Sequence, residues 1–139
     1  MTARPPRRIA TVAVLVADQD AAIRWYRDCL RLDLLENVEL GGGKRWVVMG
    51  TPDGGARILL AKADGPAQLA RIGDQTGGRV FLFLETDDFD RDHAAMLARG
   101  VTFLEGPRRE AYGTVAVFED LCGNRWDLIE PNRAATPEA

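Results

Sequence analysis

One histidine, His93, is all that this chain of 139 residues offers for imidazole chemistry, and its two cysteines, Cys29 and Cys122, fall in unlike segments. That scarcity excludes a Ser–His–Asp or Cys–His arrangement, because the single histidine lies within a helical stretch, and it excludes Cys-x-x-Cys metal or redox motifs. Two cysteines make no disulfide framework, so the chain reads as a reduced, cytoplasmic protein. Long apolar runs are missing: nothing approaches the ~18 residues needed to cross a bilayer, and the basic N-terminus with Arg4, Arg7 and Arg8 lacks the apolar stretch of a secretory signal. An excess of positive charge is missing too. A formal net charge of −3 gives no electrostatic footprint for nucleic acid. Neither a membrane nor a nucleic acid is therefore an expected partner. Gly41, Gly42 and Gly43 are followed by no helix start and make no phosphate cradle.

What is present is the composition of one globular domain, 46% hydrophobic and 28% charged, with enough length to bury a core without covalent staples. Ile9 to Ala17 is apolar and β-branched and predicts a buried strand. Asp18 then predicts an N-cap for a helix from Ala21 to Leu30, on which Ile23, Tyr26 and Leu30 share a face. Strands follow over Leu32 to Glu39, Arg45 to Met49 and Ala56 to Ala61, the last two joined by the turn Pro52-Asp53-Gly54-Gly55. Residues 62–78 are polar and link this unit to a second one, with a short helix expected around Ala67 to Ile72. The order then recurs. Arg79 to Glu85 is a strand, Asp87 or Asp88 caps a helix running to Arg99, and Gly100 ends it in a left-handed conformation. Val101 to Leu104 is expected as a strand, Gly106 to Gly113 as a loop, and Thr114 to Glu119 and Arg125 to Glu130 as the closing strands around the turn Asp120 to Asn124.

The recurrence is the most informative feature. Asp18 and Asp88 follow equivalent strands 70 residues apart (88 − 18), and Gly54 and Gly123 precede equivalent last strands 69 apart (123 − 54). The predicted fold class is therefore α+β, with two βαβββ repeats forming a concave mixed-sheet cup. Repeat one spans 9–61, the linker 62–78 and repeat two 79–131, as a single domain over 9–131 between flexible ends at 1–8 and 132–139. One repeat leaves the concave face of its sheet open, and two make a cup of the kind that holds a small molecule.

The stretches VLVADQDAAIRWYRDCLRLDLL, FLFLETDDFDRDHAAMLARGV and YGTVAVFEDLCGNRWDLIEP resemble the vicinal oxygen chelate (glyoxalase / bleomycin resistance / extradiol dioxygenase) superfamily. The likeness runs from Ile9 to Pro131, and the closing Gly-Asn-x-Trp-x-Leu-x-x-Pro segment is its most specific part. Enzymes of that family commonly hold one divalent ion with an inward residue on each of four strands, usually two His and two Glu. Carried over by motif, those places are Thr11, Leu59, Phe81 and Asp127. Only Asp127 ligates in the usual way, Thr11 offers a neutral hydroxyl, and a slip of one residue brings no further ligands into play. No metal and no cofactor is therefore expected, and lyase or dioxygenase chemistry at an ion stands as the alternative to plain binding. The family's antibiotic-sequestering members need only affinity, and a homodimer can complete such a pocket.

Strand parity aims Thr11, Ala13, Leu15, Arg57, Leu59, Arg79, Phe81, Phe83, Arg125, Asp127 and Ile129 into the cup. The expected ligand-binding residues are Thr11, Arg57, Leu59, Phe81, Phe83, Tyr112 and Asp127. Phe81 and Phe83 could stack on a planar ligand or simply fill core. Asp127 could meet a cationic or hydroxyl-bearing ligand, serve as a general base, or be neutralised by Arg57, Arg79 or Arg125. Tyr112 and Glu110 could close over the mouth from the loop 108–113, or that loop could be a solvated connector. Trp25, Tyr26, Trp46 and Trp126 are assigned to packing, with Trp126 turned toward the helices, and Cys29 and Cys122 to unreactive positions.

Overall fold

Alternation sets the architecture of the computed structural model, which describes residues 4–132. In β1 (Thr11–Val16) Val14 and Val16 are fully buried, while Thr11 and Ala13 on the other face are exposed. Helix α1 (Gln19–Leu30) covers the buried face and lays Ala22, Ile23, Tyr26, Cys29 and Leu30 on it. The Asp18 carboxylate accepts the Ala21 N–H at 3.0 Å, satisfying one of the donors a helix start leaves over. Strands β2 (Asp33–Gly41), β3 (Lys44–Thr51) and β4 (Gly54–Lys62) complete the first repeat. After α2 (Gly65–Leu69) the second repeat runs β5 (Leu82–Glu85), α3 (Phe89–Ala98), β6 (Arg108–Glu110), β7 (Gly113–Glu119) and β8 (Arg125–Pro131). Asp88 caps α3 as Asp18 caps α1, accepting from Arg91 N–H at 3.1 Å.

Two four-stranded sheets result, ordered β1-β4-β3-β2 and β5-β8-β7-β6. In each, the first strand pairs in parallel with the last, and the other pairings are antiparallel. The parallel pairing forces a crossover, which α1 and α3 supply. This is the expected pair of βαβββ repeats. The helix-side residues of both sheets and the helix residues laid on them merge into one core that includes Val14, Met49, Leu60, Phe89, Phe118 and Leu128, each contributing ~1.5–3 kcal/mol by leaving water.

A buried carboxylate fastens the repeats together. Asp120, 5% exposed, accepts from the Tyr26 hydroxyl of α1 at 2.6 Å, from Trp126 Nε1 and Asn124 Nδ2 at 3.0 Å, and from the Cys122 and Asn124 N–H groups. The linker lies against the same turn: a Cβ at Gly73, whose φ is +77°, would collide with the Cys122 carbonyl oxygen. Gln75 then takes the outer edge of β1, accepting from Leu15 N–H at 2.7 Å and donating to the Ala13 carbonyl at 3.1 Å.

Four elements differ from expectation, the first being β5, which spans Leu82–Glu85 where a strand from Arg79 was expected. The short linker helix is Gly65–Leu69 rather than 67–72, because Pro66 suits a first helical turn. Val101 to Leu104 is not a strand; after Gly100 only an isolated bridge forms, between Phe103 and Phe118. The strand that pairs with β7 is instead β6, inside the expected loop, where Arg108 is held by Glu105 at 2.9 Å and Glu110 at 2.8 Å. Charged residues without apolar alternation hid it. Of the ends expected to be flexible, 1–3 and 133–139 lie outside the described residues. No helix among the described residues is long and apolar enough to cross a membrane.

Candidate functional site

Each sheet turns one face to its helix and leaves the other open. On the first sheet the open face carries Thr11 opposite Arg57, and Ala13 opposite Leu59, with Val48 next to Leu59. Thr11 is exposed, Arg57 and Leu59 are half-buried, and Val48 is buried although it lies outside the helix-side core. Arg57 forms no ion pair among the described residues. On the second sheet Phe83 pairs with Asp127, Val117 pairs with Asp127 and Val115 with Ile129. Phe83 is 63% exposed, so it presents its ring rather than filling core. Phe81 precedes β5 by one residue; its N–H still donates to the Arg125 carbonyl at 2.7 Å, and its half-buried ring packs against the core. Tyr112 is exposed in the turn between β6 and β7. Thr11, Arg57 and Leu59 are thus gathered on one sheet, and Phe83 and Asp127 on the other. No strand pairing joins the two sheets among the described residues.

Asp127 is the polar point of the second face. Its Oδ1 is buried without a hydrogen-bond partner. The neutralising arginine does not materialise: Arg57, Arg79 and Arg125 make no ion pair with it, and Arg125 instead donates to the Gly78 carbonyl at 3.1 Å. Burial pushes the Asp127 carboxyl above its ordinary value; Arg108 pulls it down and Glu105 pushes it up. An acceptor left alone under an apolar face costs about 1–3 kcal/mol, and a ligand that brings an N–H or O–H recovers it.

The donor set does not fit the ion that the resemblance implies. Thr11, Leu59, Phe81 and Asp127 supply one carboxylate and one hydroxyl. No group of three or more His, Cys, Asp or Glu among the described residues is placed to share a metal.

A hollow of about 510 Å³ opens at one end of the first sheet's open face, within the range that holds small ligands. Pairing of β3 with β4 stops at Val48 opposite Leu59, and Trp46 and Ala61 beyond it are unpaired across that seam. The Gln19 side chain, 7% exposed, spans the gap, donating to the Leu60 carbonyl at 2.9 Å with a longer reach of 3.5 Å to that of Arg45. Trp46, assigned from sequence to the core, lines this hollow at 40% exposure with its Nε1 donating to Glu36 at 3.3 Å. The signal was its alternation with Val47 and Met49, both fully buried on the opposite face.

Known proteins align with this picture. The family model described as Glyoxalase/Bleomycin resistance protein/Dioxygenase superfamily matches residues 8–128. A protein of Shewanella frigidimarina (strain NCIMB 400), of uncharacterised function, is 49% identical over 126 residues, covering 89% of this chain and 93% of its own. Among solved structures, UcmS2 superposes with a TM-score of 0.79 at 25% identity, covering 91% of this chain and 99% of its own. TnmS3, an antibiotic binding protein from Streptomyces sp. CB03234, does so at 0.75 and 27%, covering 94% of this chain and 100% of its own.

Proposed function

The chain belongs to the glyoxalase/bleomycin resistance protein/dioxygenase superfamily, and from that premise we propose that it binds a small apolar or aromatic molecule on its open sheet faces, without a metal. The observation that carries the reading is Asp127 Oδ1, a buried acceptor with no partner beside the exposed ring of Phe83. A planar ligand that stacks on Phe83 and donates to Asp127 satisfies both. Likeness to an antibiotic binding protein supports binding over turnover. Lyase and dioxygenase chemistry at an ion is the reading set aside, because the four family positions carry a single carboxylate.

The ligand-contacting set comprises Thr11, Arg57, Leu59, Phe83 and Asp127, with Tyr112 at the rim. In this reading a second copy of the chain completes the pocket over the exposed ring of Phe83, and the working unit is a homodimer in the cytoplasm.

Thermal shift against planar aromatic amines and phenols tests the reading. A ligand at one hundred times its Kd adds about 2.7 kcal/mol, a rise of several degrees, and D127N should remove the rise. A panel that leaves the midpoint unmoved, or stoichiometric divalent metal in the purified protein, would sink it.

A further inference from the structure

We propose that the hollow at the parted end of β3 and β4 is a binding site for a planar aromatic anion, distinct from the Asp127 face. The inference extends to the first sheet the reading that open faces take small ligands.

The hollow is built rather than incidental. Two strands that pair through Val48 and Leu59 separate beyond them, and a buried glutamine amide from α1 bridges the gap. Backbone separated in that way needs other partners, and here one side chain supplies part of the need. One wall is the Trp46 indole, whose Nε1 is tied to Glu36 so that the ring is held in place. Leu40, Leu59 and Ala61 add apolar lining. An aromatic ring laid on an anchored, exposed indole gains contact area with little ordering of the protein.

The charge of the lining selects the ligand's sign. Lys44, Arg45 and Lys62 contribute three cations to the lining against one lining carboxylate, Asp64, with Glu36 lying behind the indole at its Nε1. Arg45 is engaged by Asp20 at 2.9 Å. Lys44 and Lys62 make no ion pair among the described residues; Lys62 faces Asp18 only at longer range. Two uncommitted ammonium groups beside an indole suit a carboxylate or sulfonate on a fused ring. They disfavour the cationic or hydroxyl-bearing ligand that suits Asp127, so the two faces differ in the sign they prefer.

The test titrates 2-naphthoate and its neutral counterpart 2-naphthamide into the full chain by calorimetry. The expected result is about tenfold tighter binding of the carboxylate, equivalent to about 1.4 kcal/mol. The double variant K44Q/K62Q should erase that preference while keeping the amide's affinity. W46A should weaken both probes, and D127N should leave the affinity of the donor-less naphthoate unchanged. Equal affinity for the two probes, or a preference that survives K44Q/K62Q, overturns the inference. So does naphthoate binding that D127N abolishes and W46A spares; that outcome leaves ligand binding at Asp127 intact. Absence of naphthoate binding refutes this site alone if D127N-sensitive ligands are found, and both proposals if none are.

Discussion

Replacing Tyr26 by phenylalanine removes one hydroxyl from the joint between the two repeats and leaves every carbon in place. The lost bond runs to the buried Asp120 carboxylate at 2.6 Å. Bonds to charged groups contribute about 1.5–3 kcal/mol, and Asp120 keeps Trp126 and Asn124 as side-chain donors, so Y26F should cost about 2 kcal/mol. D120N should cost more. Its amide keeps one acceptor oxygen and turns an NH2 toward donors, so either the Trp126 indole N–H or the backbone N–H groups of Cys122 and Asn124 lose their acceptor. Orphaning donors on one side and removing the charge that all of them are arranged around predicts a loss of about 3–5 kcal/mol, a large share of the ~5–15 kcal/mol that holds a domain together. Urea titration of the variants and of Y26F/D120N gives the coupling directly, expected at about 1 kcal/mol or more.

A pH signature accompanies the loss. Burial, the Asp120 charge and their hydrogen bond hold the Tyr26 phenol well above its ordinary value of 10. The native state keeps that proton where the unfolded chain gives it up, so the contribution is whole below the unfolded value and declines as pH rises beyond it. Wild type should therefore lose stability above pH 10 more steeply than Y26F. A Y26F midpoint within about 0.5 kcal/mol of wild type, with parallel alkaline limbs, refutes the account of Asp120 as the joint.

Three further outcomes follow from other parts of the molecule. Gly73→Ala should destabilise by about 3 kcal/mol or more through its clash with the Cys122 carbonyl, whereas Gly77→Ala, also at positive φ but in open space, should cost about 1 kcal/mol; equal losses in urea melts contradict the packed linker. The Cys122 thiol, pushed up to about 11 by burial and by Asp120, should alkylate with iodoacetamide far more slowly than a peptide cysteine until denaturant is added, as read by mass spectrometry. D127N should be no less stable than wild type at neutral pH: burial raises the native carboxyl, so its ionisation destabilises the fold as pH climbs through the unfolded and then the folded value. A D127N midpoint below wild type at neutral pH shows that Asp127 has a stabilising partner.

The fold was legible wherever one physical rule acted alone. Asp18 and Asp88 announce helix starts because a capping carboxylate answers a local need, and the structure bonds both as a cap requires. The repeat was legible because the two sheets solve the same burial problem with the same strand order. Strand β6 was not, because it is held by Arg108 and two glutamates rather than by an apolar face, and charge pairing leaves no periodicity to read. Phe81 shows the same limit from the other side. Alternation assigns it to the open face, but β5 begins at Leu82, and its half-buried ring also packs against the core, a contact that alternation does not encode.

The candidate site divides along the same line. Asp127 could be placed on the open face from parity alone, yet whether an arginine would reach it is a matter of distances that no alternation encodes. The hollow at Trp46 depends on where two strands stop pairing, which is set by a glutamine from a different element. Gln19 sits in the first turn of α1, where its sequence neighbours suggest nothing beyond a helix start, and only the folded chain brings its amide to Leu60. If Gln19 props the strands apart, Gln19→Leu should let β3 and β4 close or collapse onto the hollow, and naphthoate affinity should fall although Trp46, Lys44 and Lys62 are untouched. Hydrogen exchange at Trp46 and Ala61 reads the same event: slower exchange in the variant marks closure. Unchanged affinity with unchanged exchange would mean that the parting belongs to the strands themselves.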